Sequence, residues 1–321
     1  IVESGSTDNT YQIAKKLIEN YKNQEPSLKL LREETRKGKA SAINLAKKYA
    51  KGEIVLVTDA NSVFDKNVLK EIMPLFKDLE VGAVGGRYCV TNLENSLAYS
   101  ESFYWDIEYI MRKGESHLDS ACTFHGEINA WRKDLVTVDT TMLTEDLDIA
   151  MQIKQAGYKV DYEPNAIVYE PSALLAKDQI KQRKRTSIGT LQCIFKHLNY
   201  LLLPHDLYNL LIFPSHKALP MFFPFILLAI LILYIVTWNV KIMITYFALT
   251  LLILVGMFAL LIFLKSRLTK SKRIKSSFLI SSTPKIVYYV LLNGYLILLA
   301  WRDFIFRRYS VLWEKVESTR E

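Results

Sequence analysis

The sequence contains few cysteines and no initial methionine. Its three cysteines, Cys89, Cys122 and Cys193, are scattered over 321 residues and share no metal-binding or redox spacing. This pattern excludes a disulfide-stapled secreted domain and indicates free thiols in a reducing compartment. The chain opens with Ile1-Val2, which has the character of the end of a β-strand. We therefore expect a fragment that lacks its natural N-terminus and the first strand of its domain, and no signal peptide can be judged from it.

Charge is missing from two long apolar runs in the C-terminal third. Residues 218–237 and 242–264 contain no Asp, Glu, Lys or Arg. Each run is long enough to cross a bilayer as a helix. We therefore expect a membrane region over residues 198–321. A third hydrophobic segment, at about 286–306, is either a further span or a re-entrant or interfacial segment, because arginines follow its apolar part.

The basic residues predict an orientation in the membrane. Six Lys and Arg residues lie within the loop 265–275, after the second apolar run. By the positive-inside rule, this loop and the N-terminal domain face the cytoplasm of a multi-pass protein of the cell membrane. The net charge of +8 requires no nucleic acid, because membrane lipids are the natural partners of such loops. The absence of charge inside the two runs also argues against a transporter.

Residues 1–197 alternate polar and apolar segments in the manner of a soluble α/β domain. Strand and helix patterns follow one another, which predicts a mostly parallel, Rossmann-like sheet with both faces covered. In such sheets, ligands bind at the carboxyl ends of the strands. The periodicity predicts helices at 8–21 and 66–76, a helix after Gly38 with Ala42, Ile43, Leu45 and Ala46 facing inward, and strands at 28–31, 54–57 and 81–85. We also expect an interfacial helix near 178–197.

The sequence Thr144-Glu145-Asp146 places two carboxylates at the start of an amphipathic helix. Thr144 is a suitable N-cap, and the two acids occupy the first turn, where the helix dipole favours anions. Gly157 then supplies a stop signal. The acids therefore either cap the helix only or act as catalytic groups that the helix terminus keeps ionised.

Two further polar clusters follow predicted strands or precede predicted helices. Asp59 and Asn61 follow the strand 54–57, and in an extended segment their side chains point to the same side. Their oxygens suit a hard cation such as Mg²⁺ or Mn²⁺, and the alternative is an ordinary turn. Lys39 lies at a helix N-terminus, where it could reach a diphosphate, and the alternative is a solvated basic face.

Together, the motifs of residues 1–190 resemble the family 2 glycosyltransferases, which are inverting, nucleotide-sugar-dependent enzymes of the GT-A fold. The membrane tail is similar to that of the processive branch, which includes cellulose, chitin, hyaluronan and poly-N-acetylglucosamine synthases. The order and spacing of five segments carry the resemblance: 3–10 (ESGSTDNT), 38–44 (GKASAIN), 58–61 (TDAN), 81–86 (VGAVGG) and 144–146 (TED).

The resemblance implies roles for the residues near the donor. Asp59 and Asn61 stand at the D-x-D motif, which holds the divalent cation and the nucleotide diphosphate in that family. Glu3 falls in the region that contacts the nucleobase, and Lys39 lies in an element near the nucleotide. Asp146 stands at the general base. Glu145 precedes Asp146 near the acceptor.

The acceptor side is implied by two other segments. His125 and Gly126 lie in the acceptor-side loop, and Gln182 and Arg185 match a Q-x-x-R-W motif that lies at the membrane surface. Thr186 replaces the tryptophan that stacks on the acceptor sugar, which puts chain lengthening in doubt. The alternative for residues 182–186 is a basic interfacial helix.

The sequence thus predicts a transferase that moves a sugar from a nucleotide-diphosphate donor, with UDP favoured by the resemblance, to a lipid-linked or polysaccharide acceptor. The rival is a non-catalytic membrane scaffold or regulatory protein with a decayed transferase domain. Asn61 and Thr186 support the rival, whereas the intact Asp59 and residues 144–146 argue against it.

Overall fold

The computed structural model of the protein describes residues 1–21, 27–94, 96–203, 205–237, 244–249, 252 and 292–312. Its centre is a five-stranded sheet with the strand order β3-β6-β5-β7-β4. The five strands are β3 (Ile54–Val57), β4 (Val63–Phe64), β5 (Val81–Val90), β6 (Asn129–Arg132) and β7 (Lys159–Glu170). A separate two-stranded parallel sheet joins β1 (Val2–Ser4) to β2 (Leu31–Glu33).

The central sheet is mixed, so the expectation of a mostly parallel sheet is wrong for it. Only β5 and β7 pair in parallel, whereas β6 is antiparallel to both β3 and β5, and β4 is antiparallel to β7. The helix that follows β5 carries the chain back to the end of the sheet at which β5 begins. Residues 119–125 then run beside β7, where the Ala121 N–H donates to the Val160 carbonyl. A turn at His125–Ile128 follows and leads directly into β6.

The helices cover both faces of this sheet. The predicted helices are confirmed at α1, α2 and α3, although α3 is shorter and continues as a 3-10 turn over Met73–Lys77. Strand β2 begins three residues after the start of its predicted range. The helices are α1 (Thr10–Asn20), α2 (Lys39–Lys47), α3 (Val68–Ile72), α4 (Ser96–Leu118), α5 (Glu145–Gln155), α6 (Ala176–Lys196) and α7 (Leu198–Leu201).

Apolar packing against β5 positions the loop that follows α4. Gly85 lies so close to Phe124 that an added Cβ would sit 2.4 Å from the Phe124 Cβ. The glycine therefore allows the buried Phe124 ring to pack directly on the strand. This contact holds His125 and Gly126 above the carboxyl end of the sheet, next to β3.

The chain after α7 is apolar and packs against one end of the N-terminal domain. Within the described residues, one helix, Tyr208–Val236, is long and apolar enough to cross a membrane; it has 29 residues, and its most apolar 18-residue stretch has a mean hydropathy of 2.7. It contains all but the last residue of α8 (Leu219–Thr237). Of the predicted run 242–264, only residues 244–249 and 252 are described, and they are helical. The basic loop 265–275 lies outside the described residues.

A final helix over residues 292–305 covers part of the third hydrophobic segment. Its Ile297 and Ala300 are buried, the former in a cluster that also contains Leu191 of α6. The Trp301 indole N–H donates to the Met221 carbonyl at 2.9 Å, which ties this helix to α8. The described part of the third segment is therefore packed against protein.

Candidate active site

Lys39 joins three segments that are distant in sequence. Its Nζ lies 2.6 Å from Asp59 Oδ1, donates to the Gly126 carbonyl at 2.9 Å, and lies 3.5 Å from Glu145 Oε1. Gly38, with φ +96°, makes the turn that starts α2 and presents Lys39 at its N-terminus. Burial opposes the charged ammonium, but the carboxylates of Glu145 and Asp59 outweigh it and raise the pKa of Lys39. The structure thus brings four predicted site residues together: Lys39, Asp59, Gly126 and Glu145.

Asp59 and Asn61 lie on a tight turn between β3 and β4. The Ser62 N–H donates to the Asp59 carbonyl at 3.2 Å, so the expectation of an extended segment is wrong here. The turn directs the two side chains to different partners. Asp59 faces Lys39, whereas the Asn61 Nδ2 donates to Glu170 Oε1 at 2.7 Å. Glu170 is a site residue that the sequence reading missed, because its position at the end of β7 becomes meaningful only after β7 pairs with β4.

Carboxylates outnumber basic groups around this turn. Burial, together with the neighbouring Glu145, raises the pKa of Asp146 to about 6. Burial and the carboxylate of Glu127 raise the pKa of Glu170 to about 7, and burial also raises the pKa of Asp59 although Lys39 opposes it. Lys39 offsets only part of this negative charge, and the remaining oxygen donors fit a hard divalent cation.

The N-terminus of α5 carries the predicted catalytic acids. The helix begins at Glu145, and Thr144 occupies the N-cap position as predicted. The Thr144 hydroxyl makes no capping hydrogen bond, however, and its buried oxygen has no partner among the described residues. It packs against Gly189 of α6, where an added Cβ would lie 2.5 Å from it. The close approach of α6 therefore replaces the expected cap.

His125 is a packing residue at the edge of the site. Its ring is buried, lies 4.4 Å from the Trp105 ring and stacks on Tyr88 at 5.1 Å between centroids. Burial, with Arg112 nearby, lowers the pKa of His125 to about 4, so the ring is neutral near pH 7. Gly126 instead offers its carbonyl to Lys39. The loop thus touches the donor residues through Gly126.

Gln182 and Arg185 lie on α6 in a cleft of about 210 Å³ beside α5. The opposite wall includes residues 308–310 and Leu312. Burial lowers the pKa of Arg185, while Glu145 and Asp146 act in the opposite direction. The guanidinium is therefore within electrostatic reach of the acids on α5. Thr186 is exposed on the same helix.

Glu3 is buried in the loop that follows β1. Its Oε1 accepts a hydrogen bond from the Ser6 N–H, and its Oε2 lies 3.3 Å from Arg32 Nε. Gly5, with φ +62°, closes the turn against Thr35 and Arg36. These contacts stabilise the loop and do not connect Glu3 to the acids around Lys39.

A second polar cluster lies away from the turn, between α5 and α6. Asp148, Cys193 and His197 are buried and have potential ligand atoms within 4.8 Å of one another, the one such trio among the described residues. Asp148 already accepts from His197 Nε2 at 2.7 Å and lies 2.9 Å from Lys196 Nζ. Its other oxygen, Oδ2, accepts from Gln152 Nε2 at 2.7 Å. Because both oxygens of Asp148 are already engaged, we interpret this cluster as a structural network between the helices.

The fold resembles that of a solved glycosyltransferase. A mannosyltransferase from Pyrobaculum calidifontis, solved with GDP-Man and Mn²⁺, superposes with a TM-score of 0.62 at 20% identity and covers 96% of this chain and 77% of its own. The domain therefore has the GT-A nucleotide-sugar transferase fold, as predicted.

Two curated relatives are similar in sequence. The poly-β-1,6-N-acetyl-D-glucosamine synthase of Staphylococcus epidermidis is 28% identical over 199 residues, which cover 59% of this chain and 46% of the relative. The enzyme of the same name from Staphylococcus aureus strain COL is 26% identical over 175 residues, covering 53% and 41%. The chain therefore spans slightly less than half the length of these relatives.

A family model described as glycosyl transferase family group 2 matches residues 54–263. The match includes the turn with Asp59 and Asn61, the acids at the start of α5 and the helix α6. It extends into the apolar region that contains α8. The chain belongs to this family, and it is a glycosyltransferase.

Proposed function

We propose that this chain is the catalytic part of a membrane-bound, inverting glycosyltransferase for a nucleotide-diphosphate sugar, with UDP as the nucleotide. The contacts of Lys39 carry the proposal. The Lys39 ammonium contacts Asp59, on the predicted donor side, and Glu145, next to the predicted base Asp146. The two predicted halves of the site are therefore adjacent, so that one site can hold the sugar donor and the acceptor together. The similarity to poly-β-1,6-N-acetyl-D-glucosamine synthases supports a glycan or lipid-linked acceptor.

In the proposed reaction, Asp146 acts as the general base. Its carboxylate accepts the proton of an acceptor hydroxyl as that oxygen attacks the anomeric carbon of the sugar. The bond from this carbon to the diphosphate oxygen breaks on the opposite face, so the configuration inverts. A pKa of about 6 suits a base that must be ionised near neutral pH and still bind a proton readily.

Lys39 and Arg185 would offset the negative charge that develops on the departing diphosphate. Lys39 is already held between carboxylates at the turn, and Arg185 faces the acids of α5 from the cleft. The oxygens of Asp59 and Asn61 would hold a Mg²⁺ or Mn²⁺ ion, which neutralises phosphate charge when it is bound. Preorganised charges of this kind stabilise the transition state without further rearrangement.

Two observations support placing the acceptor near the membrane. The cleft that contains Gln182 and Arg185 lies between α6 and the residues that follow the 292–305 helix, and that helix packs on α8. We propose that the third hydrophobic segment is interfacial over this part and that the domain is cytoplasmic in a multi-pass protein. A lipid-linked or growing glycan acceptor would then enter from the bilayer side.

The test is nucleotide-sugar turnover by membranes that carry the parent protein. A panel of UDP- and GDP-sugars is assayed with Mn²⁺, with Mg²⁺ and with a chelator. We expect one donor to be consumed in a cation-dependent manner, with UDP-sugars preferred. A non-catalytic scaffold would consume none of them above membranes that lack the protein, and cation-independent turnover would contradict the predicted cation site.

A further inference from the structure

The bond between Asn61 and Glu170 concerns the charge of the predicted cation site. In the motif that the turn resembles, two aspartates are expected, and this chain has Asn61 at the second position. A neutral amide supplies an oxygen ligand but no negative charge. The turn by itself therefore offers one carboxylate, that of Asp59.

Glu170 brings a second carboxylate to the same turn from a different part of the chain. Its Oε1 accepts from the Asn61 Nδ2 at 2.7 Å, and its Oε2 accepts from the Ser62 hydroxyl at 2.6 Å. Asn61 and Glu170 are 109 residues apart in sequence. Strand β4 pairs with the end of β7 directly after the turn, with Val63 opposite Tyr169, and this pairing fixes the approach.

The bond also determines which end of the Asn61 amide remains available. The ionised form of Glu170 only accepts hydrogen bonds, and the Asn61 amide nitrogen is the group that faces it. The amide oxygen is then left to act as a ligand. Polarisation of the amide by the carboxylate increases the negative charge on that oxygen, in the way that outer carboxylates tune metal-bound side chains.

We propose that Glu170 is a positioning residue that supplies, through Asn61, the negative charge that the asparagine lacks for a divalent cation at the turn. The proposal rests on the proposed cation site at Asp59 and Asn61. In chemical terms, the negative charge lies on Glu170, one hydrogen bond away from the ligand Asn61, and it replaces the charge that an aspartate at position 61 would carry.

The test measures Mn²⁺ binding by the full chain in detergent, by the EPR signal of free Mn²⁺ in the presence of UDP. Glu170→Gln keeps the shape and a hydrogen-bonding group but removes the charge, and we expect about a ten-fold weaker Mn²⁺ affinity. The double variant Asn61→Asp with Glu170→Gln moves the charge to the ligand position at constant net charge. We expect this variant to bind Mn²⁺ within about three-fold of the wild type.

The outcomes separate this proposal from the proposed function. Loss of binding in Asp59→Asn together with unchanged binding in Glu170→Gln overturns the role of Glu170 and leaves the cation site intact. Unchanged binding in Asp59→Asn, or no Mn²⁺ binding by the wild type, overturns the cation site and the role of Glu170 with it. If the double variant stays as weak as Glu170→Gln while its thermal unfolding matches the wild type, the proposed supply of charge through Asn61 is overturned.

Discussion

The proposed donor side and the proposed acceptor side of the candidate site are held in place by different means. The donor side, Lys39, Asp59, Asn61 and Glu170, is fixed by direct bonds between side chains at strand ends and a helix N-terminus. The acceptor side is the cleft between α6 and the segment 308–312, and long basic side chains line much of it. The sheet thus determines the donor geometry, whereas helix packing near the membrane determines the acceptor geometry.

This difference suggests how each side tolerates change. Strand ends in a buried sheet cannot move independently, so a substitution on the donor side should impair binding of the nucleotide for every acceptor. The cleft is lined by helical side chains, which can be exchanged without altering the sheet. We therefore expect donor recognition to be rigid and acceptor recognition to be adjustable, and five measurements test this comparison.

The largest effect is expected for Asp146→Asn, where the two sides meet. Without a base, turnover should fall at least about 100-fold, while the affinity for UDP remains within about two-fold of the wild type. Steady-state transfer and nucleotide binding measure the two quantities separately. Asp134→Asn, on an exposed carboxylate of the same domain, is the matched control and should match the wild type. Retained turnover in Asp146→Asn would contradict the assignment of Asp146 as the general base.

Lys39→Met tests the donor side. Removal of the charge-assisted contacts should raise the KM for the nucleotide sugar about ten-fold, since such bonds contribute about 1.5–3 kcal/mol. Lys37→Met removes an exposed lysine two residues earlier and is the control. An equal change in both variants would mean that only the general basic charge of this segment matters.

The pH dependence tests the state of the base. Because the pKa of Asp146 is raised to about 6, protonation should lower kcat about ten-fold for each pH unit below that value. Turnover is measured from pH 5 to pH 8, with UDP binding measured alongside. A kcat that stays constant between pH 7 and pH 5 contradicts the assignment of Asp146 as the titrating group.

Thr186→Trp tests whether the acceptor side is adjustable. An exposed ring on α6 would present a face to a sugar, and stacking of that kind should lower the acceptor KM about three-fold with an unchanged donor KM. Thr186→Leu provides the same bulk without an aromatic ring. If both variants change the KM for the donor instead, the donor side and the acceptor side do not act independently, and the comparison is contradicted.

The smallest effect concerns stability. The folded protein holds the Asp146 proton more tightly than the unfolded chain, because the pKa rises from 3.8 to about 6. The wild type therefore loses stability as pH rises through this window. Asparagine cannot ionise, so Asp146→Asn should have a Tm about 2–4 °C higher at pH 7, with the difference vanishing near pH 4. Thermal unfolding at both pH values checks the sign, and a lower Tm at pH 7 would contradict it.

Some of the fold could be predicted because local patterns determine it. The half-buried strand 54–57 and the helix that starts at Glu145 begin where apolar periodicity and the acids in the first turn indicate. The strand at 28–31 was misplaced because β2 includes Glu33. This buried carboxylate accepts from Ser41 at 2.6 Å and also from Ser4, and a hydrophobic pattern cannot reveal such partners.

The direction of β6 and the role of Glu170 could not be read from the sequence. Periodicity indicates which residues of a strand are buried, but it does not tell whether the strand is parallel or antiparallel to its neighbours. Glu170 ends a strand that contains Pro164 and Asn165, which are typical of turns, so β7 was not predicted. The predicted site residues Lys39, Asp59 and Asp146 stand at element boundaries, where local signals are strongest.

The far wall of the acceptor cleft has a consequence for biosynthesis. Arg185 donates to the Val311 carbonyl, 126 residues later in the chain, and the residues that line the wall follow the helix docked on α8. A ribosome delivers the donor side first, and the nascent domain can fold around the nucleotide before the wall exists. The cleft is completed only after the helix over residues 292–305 has been made and has packed on α8. If the cleft receives the acceptor as proposed, docking of that helix determines when a newly made molecule can first bind an acceptor.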